Sequence, residues 1–183
     1  LSIRRQRQMC IETATAPTVL PSTFSPSTAA PTIEPSTHGP STAAPTCSNN
    51  ISPEERQALQ DLYDSTDGPN RWYYHASYGI PWNFSNVNPC DEQWYGVSCS
   101  VCYHVRYLSL SYMNLRGTIP STIGQLSSLR YLLLSSNQLT GTIPSTIGNL
   151  SSLYYLNLND NLLIGTIPYP ICQLSSLQEL YMY

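Results

Sequence analysis

Beyond Val105 the apolar positions recur at a fixed step. Leu108, Leu132, Leu156 and Leu180 stand 24 residues apart, as do Leu110, Leu134, Leu158 and Met182. Leu126, Leu150 and Leu174 keep the same step, and so do Gly117, Gly141 and Gly165, and Pro120, Pro144 and Pro168. Each unit reads roughly L-x-x-L-x-L-x-x-N-x-L-x-G-x-I-P-x-x-I-G-x-L. A period of this length marks a repeat architecture, because one such unit cannot bury its apolar face alone and must share a core with its neighbours. The short L-x-L run alternates as a strand does: Leu132 and Leu134 face inward, and Tyr131, Leu133 and Ser135 face the other side. Asn137 and Asn161 follow the strands, where a side-chain amide can satisfy backbone groups of adjacent turns as the chain bends away. Met113 takes that place in the first repeat and Asn114 falls one step late, so the ladder is expected to begin at Asn137. Gly-x-Ile-Pro then returns the chain: Gly tolerates strained dihedrals, and Pro sits where no N–H is needed.

Upstream the pattern changes twice. Ser52-Pro53-Glu54-Glu55 reads as a capping box with Pro at the first helical position. Ala58, Leu59, Leu62 and Tyr63 follow at helical spacing and Asp67-Gly68-Pro69 ends the run, which predicts a helix over about 53–65. An irregular stretch holding Trp72, Tyr73, Tyr74, Tyr78, Trp82 and Phe84 leads to Pro89-Cys90 and Trp94-Tyr95-Gly96-Val97-Ser98-Cys99. Before the helix, residues from about Thr13 to Thr46 are almost wholly Ser, Thr, Pro and Ala, and Pro-Ser-Thr-Ala-Ala-Pro-Thr occurs at both Pro26–Thr32 and Pro40–Thr46. Such a segment has too little apolar surface to repay its chain entropy. It reads either as an extended stalk that holds a domain away from a surface or as a plain disordered linker.

From about residue 52 to 183 the sequence closely resembles the plant-type leucine-rich-repeat ectodomain family, carried by the 24-residue unit and its Leu-x-Gly-x-Ile-Pro signature. The resemblance implies a leucine-rich-repeat α/β solenoid, a right-handed superhelix with a parallel concave sheet, with the Ile-Pro segments forming a second small sheet. It also implies that Pro89-Cys90 and Trp94–Cys99 belong to an N-terminal helical cap in which Cys90 and Cys99 form a disulfide. The expected organisation is a disordered Ser/Thr/Pro stalk over 1–48, a disulfide-stapled cap over 49–104 and repeats over 105–183. The opening at Leu1, the nearby Arg4, Arg5 and Arg7 without a following apolar run, and a stop at Tyr183 inside a fourth repeat lead to the expectation of a fragment.

Composition narrows the setting. Charged residues are 10% of the chain and the net charge is −3, with no basic excess of the kind nucleic acid attracts. No apolar run approaches the roughly 18 residues of a membrane helix; any membrane tether is expected outside this chain. Six cysteines and three N-x-S/T sequons, at Asn50, Asn83 and Asn149, favour an extracellular or cell-surface location, secreted or membrane-anchored. Cys99-Ser-Val-Cys102 shares the spacing of redox and zinc motifs, but no second cysteine pair or histidine cluster accompanies it. A second cap bridge from Cys47 to Cys102 is therefore preferred, with Cys172 a free, partly buried thiol and Cys10 paired with another chain.

No constellation for catalysis stands out. His38 lies in the stalk and His75 and His104 in the cap or its junction, none with a carboxylate at a recognisable spacing, and no Gly-x-Ser-x-Gly elbow occurs. Asp64, Asp67, Asp91 and Glu92 suit helix ends and turns better than metal sites. The chain is read as non-enzymatic, with no metal and no cofactor. One surface does attract attention. The outward strand positions stack into columns: Tyr107, Tyr131, Tyr155 and Glu179; Ser109, Leu133, Asn157 and Tyr181; Ser111, Ser135 and Asn159, with Tyr112, Ser136 and Asp160 alongside. Exposed tyrosines offer large contact area at small entropic cost; repeat duplication of a strand-favouring aromatic is the competing explanation. A glycan at Asn149 would leave this face open. The leading reading is a recognition domain that binds a protein, peptide or glycan through the concave surface, as the ectodomain of a receptor-like protein would. A secreted hydrolase inhibitor and a structural cell-wall or surface adhesion protein are the alternatives.

Overall fold

The computed structural model describes residues 47, 49–73, 79–85 and 88–182. The stalk, Cys10, His38, His75 and Tyr183 lie outside them. Order starts with helix α1 (Pro53–Ser65), whose first turn is capped by Ser52: its Oγ accepts the Glu55 N–H at 3.1 Å. At the other end the Thr66 N–H returns to the Leu62 carbonyl, and Asp67 takes a left-handed conformation (φ 59°) that turns the chain into the one-turn helix α2 (Gly68–Arg71). The inner face of α1 buries Ala58, Leu59 and Leu62 completely. Beside it Trp72, Trp82 and Trp94 are buried with Tyr63 and Phe84 packed on them, the Trp72 and Trp82 rings 4.8 Å apart and Phe84 and Trp94 4.7 Å apart. Two indoles also find polar partners: Trp72 donates to the Thr66 carbonyl and Trp82 to that of Tyr95. The irregular aromatic stretch is thus the core of the cap.

The cap joins the repeats through β1 (Val97–Cys99), which pairs antiparallel with β2 (Val105–Ser109). Cys90 and Cys99 are disulfide-bonded, as are Cys47 and Cys102. Strands β4 (Tyr131–Leu133), β6 (Tyr155–Asn157) and β7 (Glu179–Tyr181) continue the sheet in parallel, in the order β1-β2-β4-β6-β7. Each parallel step pairs a residue with its counterpart one repeat later: Leu108 with Leu132, Leu132 with Leu156, Leu156 with Leu180. The first three of these leucines are fully buried and Leu180 is 5% exposed. Burying a leucine side chain contributes roughly 2 kcal/mol, so the shared spine accounts for much of what holds the units together.

Asn137 begins the amide ladder. Its Oδ1 accepts the Met113 and Leu115 N–H groups at 3.1 and 3.0 Å, and its Nδ2 donates to the Leu110, Leu134 and Ser135 carbonyls. Asn161 repeats the arrangement one unit on, accepting from Leu139 and donating to Leu134, Leu158 and Asn159. Met113 is buried instead, and Asn114 turns outward to the Arg71 carbonyl and Gln138. The second sheet, β3 (Arg116–Thr118) with β5 (Gln138–Thr140), needs a correction of detail. It uses the residues before Ile-Pro, because Pro120 and Pro144 have no N–H to give a ladder and instead open the 3-10 turns Ser121–Gln125 and Ser145–Asn149.

Cys172 is a second correction: it is disulfide-bonded, not free. It occupies the place that Gly124 and Gly148 hold in earlier repeats. Those two are confined to glycine by the next turn, since a Cβ at Gly124 would lie 2.4 Å from the Thr146 carbonyl oxygen and one at Gly148 2.2 Å from the Pro170 Cβ. Cys172 closes α3 (Tyr169–Cys172), and no further turn packs outside it among the described residues. The position is only half-buried and accepts a side chain with a reachable sulfur.

Candidate recognition surface

The outward face of the main sheet carries the sequence-predicted residues as a continuous strip. Tyr107, Tyr131, Tyr155 and Glu179 are successive partners across β2, β4, β6 and β7. The Tyr107 and Tyr131 rings lie 5.3 Å apart and those of Tyr131 and Tyr155 6.3 Å apart, while Tyr155 meets Tyr181 at 5.4 Å. Four phenol rings therefore form one ribbon that crosses from the first column into the second. Tyr107 is 37% exposed and Tyr131 and Tyr155 are half-buried, so each ring rests on its neighbours and still presents an edge to solvent. Mutual packing and contact with a partner do not exclude each other here.

The polar residues fall around the ribbon. Ser109, Leu133 and Asn157 are half-buried beside it. Asn157 Oδ1 accepts the Asn159 N–H at 3.1 Å, which fixes its amide, and Glu179 Oε2 accepts the Tyr181 hydroxyl at 2.9 Å. That hydrogen bond, and then the carboxylate's charge, push the Tyr181 phenol above the ordinary tyrosine value. Just past the strands, Tyr112, Ser136 and Asp160 share a left-handed conformation, with φ of 61°, 55° and 53°. A tyrosine rarely adopts it; Tyr112 does so while 77% exposed. Ser111 and Ser135 join hydroxyls at 2.9 Å, which draws Ser135 to 9% exposure and away from a contact role. Asn50, Asn83 and Asn149 are all exposed; Asn149 ends a 3-10 turn, away from the strand face.

Three features escaped the sequence. Tyr154 adds a fifth ring, 5.9 Å from Tyr131, and belongs to a column of Arg106, Arg130, Tyr154 and Gln178 that keeps the repeat step and so was there to be found. A cavity of about 410 Å³ opens beside it, lined by Arg130, Tyr131, Tyr154, Ser151, Ser152 and Ser176. And His104, which has no carboxylate nearby in sequence, has one in space. Glu55 Oε2 lies 3.1 Å from its Nδ1 while Oε1 accepts the Val105 N–H at 3.2 Å, and Glu55 is 3% exposed. The capping-box glutamate thus ties helix α1 to strand β2 across 50 residues. Among the described residues no group of three or more His, Cys, Asp or Glu could hold a metal ion, and no helix is long and apolar enough to cross a membrane.

Residues 94–183 match the leucine-rich repeat region family and residues 52–100 the leucine rich repeat N-terminal domain family. Among solved structures, the PEPR1–AtPEP1 structure shares 32% identity over 70% of this chain, with a TM-score of 0.60. The match spans only 18% of that longer chain. The ectodomain of the receptor kinase SOBIR1 from Arabidopsis thaliana is 30% identical over 72% of this chain and 67% of its own, with a TM-score of 0.56. A plant ice-binding protein superposes at 0.61 with 26% identity, over 73% of this chain and 41% of its own. No curated protein sequence matches the chain. The fold is therefore shared by proteins of more than one function.

Proposed function

The chain belongs to the leucine-rich-repeat family that includes plant receptor-kinase ectodomains, and from that premise we propose that it is a non-enzymatic extracellular recognition domain. Its repeats are read as turns of a right-handed solenoid, following a stalk over 1–48 and a cap over 49–104, in the manner of a receptor-like protein's ectodomain. The tyrosine strip on the concave face holds an extended protein or peptide segment. The observation that carries this reading is the ribbon itself: Tyr107, Tyr131, Tyr155 and Tyr181 in unbroken ring contact, half-exposed, bordered by the fixed amide of Asn157. Rigid aromatic area flanked by small polar groups suits recognition because little side-chain entropy is lost on binding. A glycan on Asn149, at the end of a 3-10 turn, would leave the strip uncovered, and the paired cysteines fit an oxidising environment.

The test is selection of displayed random peptides on the intact chain and on a variant with Tyr107, Tyr131 and Tyr155 changed to Ala, after melting curves show that both are folded. Peptides enriched on the parent should lose most of their affinity for the variant. Equal binding to both would move recognition elsewhere, and enrichment only from a parallel glycan array would replace the peptide reading with a carbohydrate one.

A further inference from the structure

We propose that the cavity beside the ribbon is an anion site that takes a carboxylate from an acidic peptide segment. It is built from two consecutive repeats and the turn of a third. Arg130 and Tyr131 come from the entry to β4, Ser151, Ser152 and Tyr154 from the turn and approach to β6, and Ser176 from the turn before β7. Arg130 is exposed and makes no ion pair or side-chain hydrogen bond among the described residues. Directly beside it on β2 stands Arg106, to whose carbonyl the Arg130 N–H donates at 2.9 Å, also exposed and without an ion pair among the described residues. Two like charges on adjacent strands oppose folding.

A carboxylate in place would relieve that repulsion, but the repeats do not spend their own acids there. Asp160 lies beside Ser136 and Glu179 holds Tyr181, and neither lines the cavity. In a chain of net charge −3 two exposed arginines stand at neighbouring positions here, and one of them, Arg130, lines the pocket. The lining fits a planar oxyanion. The guanidinium fork matches a carboxylate in two parallel hydrogen bonds, three serines line the cavity with hydroxyls that can donate, and the touching rings of Tyr131 and Tyr154, centroids 5.9 Å apart, form one wall. At about 410 Å³ the cavity admits a single acidic side chain or chain terminus and no folded domain. Tyr131 belongs to both the pocket and the ribbon, so a peptide lying along the strip would reach the pocket without a bend. The proposal rests on the peptide reading of the ribbon in that respect.

An amide-resolved nuclear magnetic resonance titration of the isotope-labelled chain decides it. The probes are acetyl-Glu-Glu-Glu-amide, its all-glutamine counterpart and a sulfated disaccharide. The glutamate peptide should shift the Ser152, Tyr154 and Ser176 amides, and the glutamine peptide should not. Arg130→Gln should weaken the glutamate peptide about tenfold, the loss of roughly one charge-assisted hydrogen bond. Arg130→Lys should recover part of it, Arg116→Gln on the opposite flank should change nothing, and added salt should weaken binding throughout. Equal shifts from the glutamine peptide, or an unchanged affinity in Arg130→Gln, would overturn the site. A sulfated disaccharide that binds more tightly through Arg130 would overturn its assignment to peptide. Retained glutamate-peptide binding alongside failed selection on the ribbon would sink the ribbon alone, and the reverse pattern the pocket alone.

Discussion

In the cap no contact is repeated at a fixed step along the chain. Trp72 meets Trp82, Phe84 meets Trp94, Cys90 is joined to Cys99, and Glu55 clasps Val105, each at its own sequence separation. In the repeats almost every contact is a copy: Leu132 does for Leu108 what Leu156 does for Leu132, and Asn161 reproduces the three carbonyl bonds of Asn137. The difference teaches how each region should fail. A stack of repeats distributes stability over nearest neighbours, so damage spreads to the adjoining units. A region stapled by unique contacts should fail locally, leaving the array beyond it intact.

Asn137→Ala should be the most damaging change, because it strands three backbone groups of the preceding repeat at once: the Met113 and Leu115 N–H groups and the Leu110 carbonyl. Partial rehydration leaves an expected loss on the order of 4 kcal/mol in urea unfolding. Hydrogen exchange should accelerate first at Met113 and Leu115. A loss below about 1 kcal/mol would show that the ladder is ornamental and break the contrast.

Removing the Cys90–Cys99 bridge by a double change to Ser should cost about 2–3 kcal/mol by chain entropy. The informative measurement is where protection disappears: amides of β1 should exchange freely while those of β4 and β6 stay slow. Loss of all of them together would mean that cap and repeats are one cooperative unit.

Glu55→Gln keeps the shape but weakens the bonds to Val105 and His104, for an expected loss of about 1 kcal/mol. A double-mutant cycle with His104→Ala isolates the share carried by the imidazole. An additive cycle would leave Val105 as the only joint.

The smallest effect is at the far edge of the ribbon. Since Glu179 holds the Tyr181 phenol protonated, its raised value means that the bond is fully present below the ordinary tyrosine range and is lost as pH rises through the raised one. Glu179→Gln should lower the pH at which the Tyr181 ring resonances titrate. An unmoved titration would remove the hydrogen bond from the account.

What could be read beforehand follows the same division. The strand columns, the spine and the start of the ladder at Asn137 were legible because each residue announces itself once per repeat. Glu55 against His104 was not, because a contact across 49 residues between two single-copy segments leaves no spacing to detect. Cys172 misled for the opposite reason: its periodic place suggested the glycine's surroundings, which depend on a following turn. The pocket around Arg130 was half-visible, since the column was periodic while the three serines are drawn from an abundant residue in separate turns.

One feature of the stacking limits how such a chain can be edited. The parallel strands of the main sheet pair each residue with the one 24 positions on, whereas the second sheet pairs Arg116 with Gln138 and a separate bridge pairs Thr142 with Ile164, both two positions short of that. Each unit is therefore gripped at both flanks in different phase. A residue gained or lost between Ser135 and Leu156 must bulge out locally, or it throws every later residue out of step with both partners. Length is free to vary only in quanta of a whole unit.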